Sequence, residues 1–394
     1  MYIEKEYFMK IGIITNLVDI DNFRRYRLSS ASSQDWMLAT GGNTGNVAFV
    51  QGVDSIINAE HVAYVHWGDD PKHINEYYDR LIICCANQVG SHVNLINWYE
   101  KLAKIDLPVT FVGLGAQSEH IGKYPEIPEG TIKLLNLSKS LRFDTNKTNI
   151  VTRGEFTSEV LGSIGIESSP LGCPSQFIST EPRIGDKCLN HQRAAKELRV
   201  LTAAGNPYHV SKVLEQKLVE IVSKYKGDYV LQHPASMVQL AVGEHEYLNN
   251  AQRKLLSEAY SFLGNWDDIC SWFRSYGVLF ADVQNWMMYS KRFSVALGPR
   301  YHGIALPVQA GVPGKVIAID SRTEELAHTT GIPFLRYEDV VGLSCDELVD
   351  WCRWDSSIAD NYDSTRIKNA GKYVEFLESN GISGSLGLRE LSVG

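Results

Sequence analysis

The chain has 394 residues, of which 44% are hydrophobic and 21% are charged. This length exceeds one ordinary hydrophobic core, so the composition predicts a globular protein of two domains. The 38 Lys and Arg residues are outnumbered by 46 Asp and Glu residues, which gives a net charge of −8 and disfavours a nucleic-acid-binding protein. An anionic small molecule would therefore have to meet a local positive field, built from a few converging arginines.

Cysteine usage and the N-terminal sequence predict a cytoplasmic protein. The seven cysteines are odd in number and form no CxxC pair, which is typical of reduced, mostly buried thiols. The N-terminal residues MYIEKEYFMK lack a signal-peptide pattern, and no apolar stretch reaches the roughly 20 residues that span a bilayer. We expect a cytoplasmic location, with at most peripheral association with the cytoplasmic face of a membrane.

The first half of the chain alternates short β-branched runs with amphipathic stretches, as parallel α/β units do. A helical pattern lies between Val89 and Lys104, and a second, short helix is predicted at Thr157–Ile164, before Gly165. Val151 lies near the end of a further strand. The other predicted strands of this half are Ile11–Thr15, His61–His66, Leu81–Ala86 and Val109–Leu114.

The charged segment Glu181–Glu197 interrupts this pattern, and we place the linker between two domains there. The pattern then resumes. The predicted strands are Arg199–Ala203, Tyr229–His233, Ser294–Leu297 and Lys315–Asp320, and the predicted helices are Lys212–Tyr225, Trp266–Tyr276, Gly303–Ala310 and Asp363–Ser379. The last helix is expected to pack across both domains.

These elements predict an α/β protein with two Rossmann-like, doubly wound parallel-sheet domains that face a central cleft. The N-terminal domain is predicted over residues 1–185, the C-terminal domain over 195–360, and a C-terminal helix and tail over 361–394. Ligands of such sheets bind beyond the carboxyl ends of the strands, so the functional residues are expected there.

Two glycine loops follow apolar segments. The first, GGNTGN at residues 41–46, contributes the candidate residues Gly42, Asn43 and Asn46; its spacing fits either an anion-binding backbone or a simple tight turn. No Lys-Ser or Lys-Thr pair follows it, which disfavours a nucleoside triphosphate. The second loop, GLGAQ at 113–117, has Ser118 where a dinucleotide fingerprint needs its third glycine, so close packing of strand against helix is favoured there.

Arg153 stands at the end of the apolar run Ile150-Val151, directly before the short helix that Thr157 or Ser158 would help to cap. An arginine at this place points to the mouth of the expected cleft.

The segment SVALGPRYHG at residues 294–303 is the most specific signal in the chain. It predicts a buried strand, a Gly-Pro break, and then Arg300 and His302 at the start of a helix, where an anion is favoured. Arg322 follows the next predicted strand and adds a cation at the same edge. The histidines, cysteines and carboxylates show no metal-ligand spacing, so no metal site is predicted.

In their order, these segments resemble the polysaccharide pyruvyl transferase family. The resemblance rests on GGNTGN, GLGAQ, TRGEFTSEVLGSIGI followed by LGCPSQF, and GPRYHGIALPVQAGVPGKVIAID followed by SRTEEL. It implies a glycosyltransferase-B-like fold and transfer of a pyruvyl group from phosphoenolpyruvate to sugar hydroxyls, which forms a ketal. The donor substrate is then phosphoenolpyruvate, no cofactor is implied, and the acceptor is a saccharide or a lipid-linked saccharide.

The resemblance also implies roles for individual residues. Arg153 matches the family's arginine after the last strand of the first domain, and Arg300 and His302 match its Arg-x-His donor pair. Arg322 lies where relatives often carry Lys or Arg. The three arginines are thus implied as donor-binding residues, and His302 either as the general acid or as a ligand of the phosphate.

The sequence departs from the family at Asn46, where the early loop usually has an aspartate. An amide does not take up a proton usefully, so the base that acts on the sugar hydroxyl has to lie elsewhere. Asn46 is then expected only to position the acceptor.

Two alternative functions remain open at the level of sequence. A glycosyltransferase of the same fold would use a nucleotide sugar and would want a carboxylate for the ribose, a role open to Glu324 or Glu325. A non-catalytic saccharide-binding relative is the other alternative, and Asn46 in place of the acid is its motivation.

Overall fold

The computed structural model describes residues 9–24, 30–59, 61–208 and 212–394. Its strands are β1 (Lys10–Ile14), β2 (His61–Val65), β3 (Arg80–Cys84), β4 (Val109–Leu114), β5 (Ile150–Thr152), β6 (Ser169–Pro170), β7 (Val200–Ala203), β8 (Asp228–Val230), β9 (Gly277–Val278), β10 (Val295–Gly298), β11 (Gly314–Ala318) and β12 (Phe334–Arg336).

The α-helices of the first half are α1 (Ile20–Asn22), α2 (Ser33–Ala39), α3 (Asn46–Ile56), α4 (Pro71–Tyr77), α5 (Ile96–Leu102), α6 (Glu129–Ser138), α7 (Glu155–Ser163) and α8 (Ile184–Ala194). Those of the second half are α9 (Lys212–Lys224), α10 (Ala235–Ala241), α11 (Asn250–Ala259), α12 (Trp266–Tyr276), α13 (Val283–Ser290), α14 (Tyr301–Gln309), α15 (Ser321–Thr330), α16 (Tyr337–Val340), α17 (Cys345–Trp351), α18 (Ser356–Ser379) and α19 (Leu386–Ser392).

The strands form two six-stranded sheets in which every strand pair is parallel. The first sheet has the order β2-β1-β3-β4-β5-β6, and the second has the order β12-β11-β10-β7-β8-β9. The strand order reverses between β1 and β3 in one sheet and between β7 and β10 in the other. Ligands bind at such reversal points in doubly wound sheets. The predicted fold class, two Rossmann-like domains facing a cleft in a glycosyltransferase-B-like arrangement, is confirmed.

The strands at three sheet edges were not predicted. They are β6 (Ser169–Pro170), β9 (Gly277–Val278) and β12 (Phe334–Arg336), and each has only two or three residues. Such short segments are too brief to show the hydrophobic alternation from which a strand is predicted.

The helix predicted between Val89 and Lys104 was wrong in its first half, because α5 begins only at Ile96. Val89 instead bonds to the chain that follows β4. Its N–H donates to Gly115 O at 3.1 Å, and its carbonyl accepts from Gln117 N at 2.9 Å. This pairing holds residues 89–95 as a loop at the carboxyl edge of the first sheet.

The predicted linker Glu181–Glu197 contains α8 (Ile184–Ala194) and is therefore not an irregular connection. A side chain at Gly185 would collide with the carbonyl of Ala359 in α18, so glycine permits close packing of the two helices. The exposed face of α8 carries the charges that gave the segment the appearance of a linker. The interval lies between β6, the last strand of the first sheet, and β7, the first strand of the second.

Helix α18 contacts both domains, as the sequence predicts. Tyr373 Oη donates to Gly172 O at 2.8 Å in the first domain, and Tyr362 Oη accepts from Gln309 Nε2 at 2.9 Å in the second. The helix thereby links the two domains by hydrogen bonds as well as by packing.

Arg366 of α18 is fully buried and holds the chain that connects the domains. Its Nε donates to Gln176 O at 2.8 Å and its Nη1 to Glu181 O at 2.5 Å, and Nη2 donates to Ser179 O. Burial lowers the pKa of Arg366. A guanidinium is well suited to this place because it offers five donors in a fixed plane.

Two further expectations concern the thiols and the membrane. All seven cysteines carry free thiols, as the sequence predicts. Among the residues that the structure describes, no helix combines the length and the apolar character needed to cross a bilayer.

We predict that Arg366→Met lowers the free energy of unfolding by about 2–4 kcal/mol, because it leaves buried carbonyl groups without donors. Urea denaturation at pH 7 measures this change. Lys368→Met, an exposed position on the same helix, is the control and should change stability by less than about 0.5 kcal/mol. Equal effects of the two substitutions would contradict the role assigned to Arg366.

Candidate functional site

The first part of the site lies where β10 ends and α14 begins. Gly298 ends the strand with φ +148, and a side chain there would collide with the backbone of Ala203 in β7. Arg300 is the N-cap residue of α14, and His302 lies in the first turn. The predicted placement of both residues at a strand end and a helix N-terminus is confirmed, so both lie where the partial positive charge of the helix is greatest.

Arg300 is held by carbonyl groups of the second domain. Its Nη2 donates to His233 O at 3.2 Å and to Gly205 O at 3.5 Å. Its Nε is buried and has no hydrogen-bond partner among the described residues. No carboxylate within the described chain forms an ion pair with Arg300, although the charges of Glu215 and Asp320 act to raise its pKa.

Arg153 follows β5 and belongs to the first domain. Its Nε donates to Gly113 O at 3.2 Å, and its Nη1 donates to Asn87 Oδ1. These partners are neutral. A side chain at Gly115 would lie 2.7 Å from Arg153 Cδ, so the second glycine loop packs directly on this arginine.

Arg322 lies in the first turn of α15 and reaches the second glycine loop. Its Nε donates to Asp320 Oδ2 at 2.9 Å and its Nη1 to Gln117 Oε1 at 3.3 Å. Burial lowers the pKa of Arg153 and of Arg300, and the charge of Arg322 lowers both further. The structure therefore brings the three predicted arginines together, but Asp320 already compensates the charge of Arg322.

His302 lies against a thiol of the first domain. Its Nε2 is 3.4 Å from Cys173 Sγ, which in turn accepts a hydrogen bond from Ser175 Oγ at 3.1 Å. Burial, followed by the charge of Arg153, lowers the pKa of His302 to about 3. The imidazole is therefore neutral near pH 7 in the unliganded chain. A bound anion raises such a pKa, because it favours the charged form.

The first glycine loop bonds to the opposite domain. Gly42 has φ +81, a left-handed conformation that favours glycine. Its carbonyl accepts from His233 Nδ1 at 3.1 Å, and Thr44 N donates to Gln232 O at 3.2 Å. The loop is thus both a tight turn and one wall of the cleft.

Two asparagines fix the shape of this loop. Asn43 Oδ1 accepts from Gly45 N at 2.8 Å, and Asn46 Nδ2 donates to Thr40 O at 2.9 Å. The ideal Cβ position of Gly45 is 3.2 Å from His302 Nδ1, so the loop approaches the imidazole closely. The side chains of both asparagines therefore fix the conformation of the loop that His302 faces.

The model of the polysaccharide pyruvyl transferase family matches residues 43–321, which is more than two thirds of the chain. The chain belongs to this family. The match includes Arg153, Arg300 and His302. No curated protein matches the chain in sequence.

Solved structures similar to the chain include S. aureus MnaA with UDP, at 10% identity and a TM-score of 0.45, covering 98% of this chain and 95% of that one. Anabaena HepE in complex with UDP-glucose has 12% identity and a TM-score of 0.44, with 98% and 100% covered. The wall teichoic acid polymerase TagF has 9% identity and a TM-score of 0.39, with 98% and 87% covered. Similarity at this level assigns no ligand to the chain.

In this pyruvyl transferase family member, both carboxylates considered for a nucleotide ribose are already engaged. Glu325 is buried and accepts from Thr157 N at 2.6 Å and from Thr157 Oγ1 at 2.8 Å, a bond between the domains. Glu324 accepts from Arg336 Nε at 3.0 Å. Thr157 is therefore not the cap of α7, which begins at Glu155; it and Ser158 lie within the helix.

Three residues of the site were missed by sequence reasoning: Asn87, Cys173 and Gln232. Asn87 follows the predicted strand Leu81–Ala86, and Gln232 lies near the end of the predicted strand Tyr229–His233. A polar side chain at the end of a buried strand is the signal that would have found both. Cys173 gave no such signal, because its neighbour His302 is 129 residues away in the chain. Within the described ranges, no group of three His, Cys, Asp or Glu residues is placed to hold a metal ion.

The Glu325 contact predicts a pH dependence of stability. Burial raises the pKa of Glu325 from 4.5 to about 7. A carboxyl whose folded-state pKa is raised stabilises the fold below its unfolded pKa, and this stability is lost as the pH rises through about 7. We expect the free energy of unfolding of the wild type to fall more steeply between pH 5 and pH 8 than that of Glu325→Gln.

Urea denaturation at each pH measures both slopes, and Glu324→Gln serves as the control because it should keep the slope of the wild type. Parallel slopes for the wild type and Glu325→Gln would rule out the raised pKa.

Proposed function

We propose that this protein transfers the pyruvyl group of phosphoenolpyruvate to two hydroxyls of a saccharide, forming a ketal and releasing phosphate. The observation that supports this most is the convergence of Arg153 and Arg300 from different domains, without a carboxylate bonded to either. Phosphoenolpyruvate carries a carboxylate and a phosphate on one small skeleton. Guanidinium groups bind both anions in a bidentate manner. Membership of the family supports the same reaction.

The donor would be held by three arginines with unequal roles. Arg153 and Arg300 supply net positive charge from the two sides of the cleft. Arg322 supplies hydrogen-bond donors, since Asp320 compensates its charge. This local positive charge would attract the anionic donor although the chain as a whole is acidic.

The reaction balances without a cofactor. The proton of one sugar hydroxyl is replaced by a bond from its oxygen to C2 of the donor, and the methylene carbon gains a proton and becomes a methyl group. The bond between C2 and the phosphate oxygen breaks. The second hydroxyl oxygen then bonds to C2, and its proton leaves with the phosphate.

His302 is the proposed general acid for the methylene carbon. Its pKa of about 3 leaves the imidazole neutral before the donor binds. The negative charge of the donor raises that pKa, so the proton and the donor bind together. The general acid would thereby be charged only when there is a substrate to protonate.

The acceptor would lie along the first glycine loop. Gly42, Asn43 and Asn46 form this wall, and the side-chain amide of Asn46 donates a hydrogen bond to Thr40 O. Asn46 thus positions the wall and is not the base. The proposed acceptor is a saccharide, free or lipid-linked, in the cytoplasm.

The donor is tested by titration of the purified chain with phosphoenolpyruvate and with UDP- and GDP-sugars. We expect binding of phosphoenolpyruvate, and a loss of roughly 10- to 100-fold in Arg300→Lys, because an ammonium cannot form the bidentate bonds. Isothermal titration calorimetry measures both affinities.

Arg292→Lys, an exposed position beyond the site, is the matched control and should bind as the wild type does. Unchanged affinity in Arg300→Lys would remove Arg300 from the site. Binding of a nucleotide sugar but not of phosphoenolpyruvate would refute the proposed donor and favour the glycosyltransferase alternative.

The general acid is tested with His302→Gln. We expect this variant to bind phosphoenolpyruvate nearly as well as the wild type and to transfer the pyruvyl group about 10²- to 10⁴-fold more slowly. Phosphate release in the presence of β-galactosides and N-acetylmannosamine-containing lipids measures the rate. A loss confined to donor affinity would instead assign His302 to phosphate binding. Donor binding by the wild type without transfer to any acceptor would support a non-catalytic saccharide-binding protein.

A further inference from the structure

Gln232 lies between the first turns of two helices that belong to different domains. It follows β8, and only 2% of its surface is exposed. Its Oε1 is 2.5 Å from the ideal Cβ position of Gly45, the N-cap of α3. Its Nε2 is 2.8 Å from that of Gly303, in the first turn of α14. The side-chain amide therefore spans the junction of the two domains.

The two glycines beside this amide are required for space and not for backbone conformation. Gly45 has φ −63, and Gly303 lies within a regular helix; neither is among the glycines of positive φ. Any residue could adopt these backbone angles. A side chain at either position would displace the amide of Gln232, so glycine at both keeps the amide at the start of α14.

Two donors at this place are buried without an acceptor. Gln232 Nε2 and Arg300 Nε have no hydrogen-bond partner within the described part of the chain. Both side chains border Gly303, since a Cβ atom at this glycine would lie 2.8 Å from Gln232 Nε2 and 3.6 Å from Arg300 Cβ. Buried donors are rarely left unpaired in native proteins.

The start of α14 adds backbone donors to these two side chains. The first N–H groups of a helix have no acceptor within the helix and favour a bound anion. The start of α14 is thus lined by three kinds of N–H donor: the amide of Gln232, the guanidinium of Arg300 and the backbone of the first helical turn. A tetrahedral anion with three oxygens suits this arrangement better than a planar carboxylate does.

We propose that Gln232 is a phosphate-binding residue, which forms a phosphate subsite in the second domain together with Arg300 and the first turn of α14. The carboxylate of the donor then lies on Arg153 in the first domain, whose planar fork suits a carboxylate. The assignment of the carboxylate rests on the proposed function. The phosphate subsite does not, since the diphosphate of a nucleotide offers the same chemistry.

The subsite is tested with the full-length chain and four probes: inorganic phosphate, pyruvate, phosphoenolpyruvate and UDP. In Gln232→Glu a carboxylate replaces the amide at nearly the same volume. We expect this variant to bind inorganic phosphate and phosphoenolpyruvate roughly 10- to 100-fold more weakly than the wild type, because a donor is lost and a like charge is added. Its affinity for pyruvate should stay within about twofold, because pyruvate carries only the carboxylate.

Calorimetry measures the phosphate ligands, and ligand-detected NMR measures pyruvate. Gln284→Glu, an exposed glutamine of the same domain, controls for the added charge and should bind every probe as the wild type does. Gln232→Ala is the second variant, for the case that the buried carboxylate prevents folding, and should also lose phosphate affinity.

Three outcomes would overturn the subsite: no binding of inorganic phosphate by the wild type, unchanged phosphate affinity in the folded Gln232 variants, or equal losses for pyruvate and phosphate. Failure of the proposed function gives a different pattern. If the wild type binds UDP and inorganic phosphate but not phosphoenolpyruvate, and Gln232→Ala weakens both, the phosphate subsite stands and the pyruvyl donor does not.

Discussion

The structure depends on a concentration of positive charge to which both domains contribute. Arg153 and Arg300 are each partly buried, and the charge of Arg322 lowers the pKa of both. Their hydrogen-bond partners are backbone carbonyls and the amide of Asn87, which orient the guanidinium groups without neutralising them. Such an arrangement is costly in a low dielectric, and the anionic ligand that we propose between the domains would relieve it.

The rest of the fold keeps the two sheets close enough to maintain this arrangement. Glu325 bonds to Thr157 across the cleft, and Arg366 binds the carbonyls of the connection behind it. The first glycine loop bonds to Gln232 on the remaining side. The domains are thus joined around the site by hydrogen bonds and not only by the covalent chain.

The same electrostatics determine when His302 can act. Burial and Arg153 hold its pKa at about 3, so the positive field that would bind the donor also keeps the imidazole neutral. The negative charge of the proposed donor would reverse this effect, and by linkage a protonated His302 would bind that donor more tightly. Protonation of the imidazole and binding of an anion in the cleft would therefore be thermodynamically linked.

The sequence by itself determined the α/β alternation, the two domains, and the position of Arg153, Arg300 and His302, because buried parallel strands are apolar and end in short polar turns. The order of the segments also indicated the family. The sequence did not predict helix α8, because the charged residues on its exposed face are also typical of a linker. Only the tertiary structure decided that Cys173 contacts His302, that Gln232 packs against the first turn of α14, and that the imidazole is neutral. These facts depend on burial and on contacts between distant parts of the chain, which no local pattern of residues encodes.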